Sequence, residues 1–110
     1  MKLSDALALA CFALATLSAA TAHAEGDPAK GKLIAYTCTG CHGIEGYKNA
    51  YPNYHVPRIA GQNYDYLIAA LTAYQKGERN HPTMRAQAQS FTDEEIQNLA
   101  AYISTVGRSK

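Results

Sequence analysis

The chain lacks a surplus of charge: ten Lys and Arg stand against nine Asp and Glu across 110 residues, a formal net charge of +1. Nucleic-acid binders need a basic excess to neutralise phosphates, so that class is excluded. Long apolar runs are scarce. Beyond the first two dozen residues there is no apolar segment, whereas a bilayer span needs about 20 residues. There is no G-x-S-x-G, no H-E-x-x-H and no phosphate-binding loop, so the residue patterns of several common enzyme classes are missing and catalytic residues are not expected. No run alternates apolar and polar residues as a half-buried strand does, and no segment repeats. Tryptophan is absent, and cysteine and methionine number only three and two.

The one dense apolar block lies at the start, from Ala6 to Ala15. Lys2 precedes it and Ala22-His23-Ala24 follows, the charged region, apolar region and small-residue cleavage site of a secretory signal peptide. Residues 1–24 are therefore expected to be removed, leaving 25–110 as a single domain in the periplasm. Lys2 and Asp5 leave together, so the net charge does not change. Cys11 leaves too; its use as a lipid-bearing cysteine fits poorly, because the residues before it do not form a lipobox. A domain this small has a marginal core and usually needs a disulfide, a metal or a cofactor to hold it.

The two remaining cysteines stand as Cys38-Thr39-Gly40-Cys41-His42. In an exported protein this C-x-x-C-H spacing reads as covalent attachment of a single haem c. Two thiols three residues apart on a tight turn reach two vinyl groups of one porphyrin, and the adjacent His42 falls beneath the iron. Three other uses compete. A disulfide would close a very short loop and stabilise little. A thioredoxin-like pair would need a preceding strand. A zinc site would draw on Cys38, Cys41, His42 and either His55 or His81.

Helical signals surround this motif. Asp27-Pro28 is an N-cap followed by proline at the first helical position, opening a helix to Tyr36. Gly31 within it points to close approach of another backbone, with Leu33 and Ile34 supplying apolar surface. Residues 43–62 read as a long irregular loop, with Tyr47, Tyr51 and Tyr54 either packed on the surface or wrapped around the cofactor. Asn63 caps a second helix whose Tyr64, Leu67, Ile68, Leu71 and Tyr74 or Gln75 share one face, and Gly77 closes it. Glu78 to Ser90 reads as a polar loop carrying His81, Pro82 and Met84. Thr92 and Glu95 form a capping box for the last helix, whose stripe is Ile96, Leu99, Ala100 and Ile103, with Gly107 at its close.

Together these residues resemble the class I c-type cytochromes, and in particular a bacterial periplasmic monohaem form like one domain of the dihaem c-four type. The resemblance rests on Gly31 before the thiols, on Cys38-Thr39-Gly40-Cys41-His42-Gly43, and on Pro57-Arg58-Ile59-Ala60-Gly61-Gln62. It continues through Tyr66-Leu67, Gly77-Glu78-Arg79, Met84 and the final Leu99-Ala100-Ala101-Tyr102-Ile103. It implies an all-α fold of three to four helices wrapped around one covalently bound haem. It implies His42 and Met84 as the two axial iron ligands, with the Pro57 carbonyl holding the other ring nitrogen of His42. It also implies that the first and last helices cross near Gly31, with Ile34 meeting Leu99 and Tyr102. The histidine three residues before Met84 departs from the pattern and makes His81, and less so His55, a rival for the sixth position.

With both axial positions filled, no site remains for substrate, and the expected role is a one-electron carrier that meets larger redox proteins transiently. Two alternatives differ in class. One is a haem subunit of a larger oxidoreductase. The other is a peroxidase-type enzyme, should the methionine bond be labile. Arg58 and Arg79 either pair with the propionates or are simply solvated.

Overall fold

The computed structural model describes residues 25–44 and 56–107. The expected leader over 1–24, His55 and the three loop tyrosines lie outside these residues. Within them the chain forms five helices, α1 Pro28–Ile34, α2 Tyr36–His42, α3 Tyr64–Lys76, α4 Pro82–Gln89 and α5 Asp93–Thr105. No strand occurs among the described residues. The class is all-α as expected, with more and shorter helices than three or four.

α1 starts where its cap predicts. The Asp27 carboxylate accepts the Ala29 and Lys30 backbone N–H groups at 2.8 and 3.3 Å. It ends at Ile34 rather than running to Tyr36. Fully buried Ala35 forms the joint, and the thiol motif lies in a separate helix, α2, not in a turn.

α1 packs across α5 at Gly31, where a Cβ would overlap the Asn98 backbone carbonyl and crowd the Tyr102 Cβ at 2.9 Å. Only glycine lets the two backbones come this close. Ile34 packs on the buried cluster to which Leu99 and Tyr102 belong. Leu33 instead points to solvent and is 77% exposed. Two further bonds fasten this end of the molecule. The buried Asn98 side chain accepts the Asp27 N–H at 2.7 Å, and the Tyr64 hydroxyl accepts the Gly26 N–H at 3.1 Å.

α5 carries the full capping box. The Thr92 hydroxyl accepts the Glu95 N–H at 3.2 Å, and the Glu95 carboxylate accepts the Thr92 N–H at 2.8 Å. Its stripe of Ile96, Leu99, Ala100 and Ile103 is buried, and so is Tyr102. The helix ends at Thr105, two residues before Gly107. One of its last carbonyls, that of Ile103, accepts the Gly61 N–H at 2.8 Å, which ties the residues after Pro57 to the core.

α3 is capped by Asn63, whose side chain accepts the Tyr66 N–H at 3.0 Å. It closes on Gly77 in the left-handed region, φ 75°, where a Cβ would be strained. Its apolar face is not a core face throughout. Leu67 is buried, while Ile68, Leu71, Tyr74 and Gln75 are only half-buried.

The polar loop expected over 78–90 is corrected in its second half. Residues Pro82–Gln89 form α4, with His81 as N-cap and Pro82 at the first position. Met84 therefore sits in the first turn of a helix. The reason is local: after Pro82 come seven residues without glycine or proline, including two alanines, good helix formers that need no apolar stripe. α4 packs against α3 and buries little beyond Ala88.

Candidate functional site

α2, the segment 56–62, α3, α4 and α5 enclose one cleft. The space between these walls, open mouth included, is about 1270 Å³. Leu67, Leu71, Leu99 and Ile103 give it apolar walls. This explains the half-buried face of α3, since Leu71 and Tyr74 line the cleft instead of meeting another helix.

Among the described residues, each one singled out for cofactor or metal binding is at this cleft. Cys38, Cys41 and His42 come from α2, Pro57 from the segment that follows, and Met84 from α4. Both cysteines are free thiols, Cys38 half-buried and Cys41 exposed. Burial pushes the Cys38 thiol above the usual range, the Thr37 hydroxyl pulls it down, and the neighbouring Cys41 raises it. The net effect keeps Cys38 protonated at neutral pH.

His42 is buried, and its Nδ1 lies 2.7 Å from the Pro57 carbonyl oxygen. A carbonyl can only accept, so Nδ1 carries the proton and donates. The lone pair is then on Nε2, free to bind a metal. The contact expected from the resemblance is therefore present, and it also sets the tautomer.

The donor set agrees with a covalently held haem. Two thiols, one imidazole with a free Nε2 and one thioether share an apolar cleft, as a porphyrin with nitrogen and sulfur axial ligands requires. Zinc fits less well. Among the described residues no group of three or more His, Cys, Asp or Glu side chains stands together as a metal site.

At the mouth, both arginines line the cleft and are exposed. Arg79 lies over the Tyr74 ring at 4.8 Å and donates to the Tyr66 hydroxyl at 3.4 Å. One supporting residue was not anticipated. The Gln75 side-chain amide donates to the Ala88 and Phe91 carbonyls at 2.9 and 2.7 Å, pinning the end of α4 to α3. In the sequence Gln75 was only an alternative to Tyr74 on a helical face, and no local pattern marks its amide for this task.

Comparison with known proteins agrees with this site. Residues 28–107 match the family described as Cytochrome c. The chain is 40% identical over 83 residues to cytochrome c-554(548) of Halomonas halodenitrificans, covering 73% of this chain and 96% of that protein. It is 34% identical over 84 residues to cytochrome c4 of Pseudomonas aeruginosa, covering 76% of this chain but only 40% of that longer protein. Among solved structures, cytochrome c4 of Acidithiobacillus ferrooxidans superposes with a TM-score of 0.62 at 28% identity, covering 96% of this chain and 66% of that one. No helix of the described residues is long and apolar enough to cross a membrane. The chain thus belongs to the cytochrome c family, electron carriers that hold haem c through a C-x-x-C-H motif and exchange electrons with redox partners.

Proposed function

We propose that this protein is a one-electron carrier of the periplasm whose haem iron is held by His42 on one side and Met84 on the other. Haem c, when bound, supplies an iron centre that changes charge by one. The chain does the rest. Cys38 and Cys41 anchor the group so that it is not lost to solvent. The Pro57 carbonyl fixes the His42 ring and presents Nε2. Met84 offers a soft sulfur that favours ferrous iron and raises the potential. With His42 and Met84 both holding the iron, no position would be left for a substrate, and Leu67, Leu71, Leu99 and Ile103 would limit water around it.

The observation that carries this reading is the His42–Pro57 bond, which leaves Nε2 free at the cleft that Met84 also lines. The features of residues 1–24 support export and removal of a signal peptide, with delivery to a respiratory chain as the setting. Partners would be larger redox proteins met transiently, through patches below about 1,200 Å². With two propionates against the residual positive charge of the ferric porphyrin, the loaded protein would be near neutral, and strong charge steering is not expected.

The test is a redox-titrated visible spectrum of protein exported with the haem-attachment machinery. A single reversible one-electron couple is expected, with a weak red sulfur-to-iron charge-transfer band in the ferric form. Met84→Ala should abolish that band and admit carbon monoxide to the reduced form. A colourless product would overturn the proposal, as would stoichiometric zinc or a wild-type spectrum in the Met84 variant.

A further inference from the structure

The His81 side chain caps α4 through its ring: Nδ1 accepts the Met84 backbone N–H at 3.3 Å. Met84 is the third residue of the helix, after Pro82 and Thr83, and its N–H has no partner within the helix. Such donors are usually met by Ser, Thr, Asp or Asn at the cap, so an imidazole here is unusual. His81 also lines the cleft, half-buried.

We infer that His81 is a positioning residue for Met84: it fixes the helical turn that presents the thioether and does not itself bind the iron. The inference rests on the proposed Met84 ligation. Its core is a tautomer argument. A backbone N–H can only donate, so Nδ1 of His81 must offer its lone pair, and the neutral ring then carries its proton on Nε2. A ring in that state has no second lone pair for a metal. His42 is in the opposite state, with Nδ1 protonated by its bond to the Pro57 carbonyl and Nε2 free. His42 and His81, the two histidines that line the cleft among the described residues, are thus sorted by the backbone groups that they face, one for the metal and one for the helix. The histidine that departs from the family pattern takes over the task of a cap.

The effect falls on the end of α4 that matters. Gln75 holds the far end of the helix, at Ala88 and beyond. Pro82 has no N–H to anchor. That leaves the His81 bond as the side-chain contact that ties the first turn at Met84 itself.

The test uses the haem-loaded protein in four forms, wild type, His81→Ala, His81→Leu and His81→Asn. Leucine keeps bulk but cannot accept a hydrogen bond. Asparagine is a good cap with no imidazole. Two readouts are taken: the sulfur-to-iron band of the ferric form, and the affinity of added imidazole, which competes with Met84. His81→Ala and His81→Leu should each keep the band at low temperature. Both should bind imidazole about fivefold more tightly, the size expected for loss of one capping bond. His81→Asn should return to within twofold of wild type. If all three variants match wild type, the cap does not hold Met84 and the inference fails. If Asn fails to restore, the imidazole itself is needed and the inference also fails. If wild type lacks the band, and the ligand spectrum changes in His81→Ala but not in Met84→Ala, His81 is the ligand, and both this inference and the proposed Met84 ligation fall. Retained haem absorbance and far-ultraviolet circular dichroism show in each case that the variant has folded. Should His81→Ala not be recovered, the Leu and Asn pair alone decides.

Discussion

Replacing Gly31 by alanine sets two effects of opposite sign against each other. Alanine is the better helix former by about 1 kcal/mol, so on an open helix face the change would stabilise the protein. Gly31 is not on an open face. The new methyl would overlap the Asn98 carbonyl and crowd the Tyr102 Cβ. These atoms are fixed by the α5 backbone, so α1 and α5 must separate. Overpacking of this kind costs about 1–3 kcal/mol. Separation also lengthens the bond from the Asp27 N–H to Asn98, now 2.7 Å, which contributes about 1 kcal/mol. The steric and hydrogen-bond losses outweigh the propensity gain, and the net is a loss of about 2 kcal/mol, a large part of the 5–15 kcal/mol typical of a domain. Guanidinium unfolding of the loaded protein, followed by circular dichroism, measures it. The midpoint should fall by about 0.5 M or more with little change in slope. An unchanged or higher midpoint would mean that the helices do not meet at Gly31, and the crossing described here would be wrong.

Other outcomes follow from the same contacts. Gln75→Leu takes the side-chain donor from the Phe91 carbonyl and one of the donors from the Ala88 carbonyl, which keeps the Phe91 N–H at 3.2 Å. It should cost about 2 kcal/mol and lower the melting temperature by about 10 °C, with the red charge-transfer band lost before the global transition. Thr92→Ala breaks the capping box of α5 and should lower stability by about 1 kcal/mol in denaturant titration. Glu94→Gln removes an ion pair to Lys30 at 3.6 Å whose side chains are 63% and 75% exposed; the unfolding midpoint should hardly move, since such pairs contribute about 0–1 kcal/mol.

The parts of the fold that could be read from the residues are those with local chemistry. Asp27-Pro28, Asn63 and the Thr92–Glu95 pair each satisfy backbone donors within three residues, so the starts of α1, α3 and α5 lie where their caps place them. The thiols and His42 were legible because attachment demands that spacing. α4 was missed because its residues are polar overall and its cap is a histidine, outside the usual set. The signal that was there, proline followed by helix formers, is weak beside a loop-like composition. The joint at Ala35 has no breaker to mark it. The roles of Asn98 and Gln75 depend on groups 71 and 13 or more residues away, which no local pattern encodes. The half-buried face of α3 looked like an ordinary core stripe, since periodicity does not distinguish a protein neighbour from a cofactor.

The bond between Asp27 and Asn98 clasps the chain into a ring that contains α2, α3 and α4. α5 holds most of the buried side chains and α1 is pressed against it at Gly31, whereas α4 lies outside this clasp and buries little beyond Ala88. Amide exchange should therefore be slowest along α5 and fastest along α4, as regions with few buried contacts open first. When the molecule breathes, the α4 wall of the cleft, which carries Met84, will lift before the α5 wall does, so a small molecule will enter the cleft from that side.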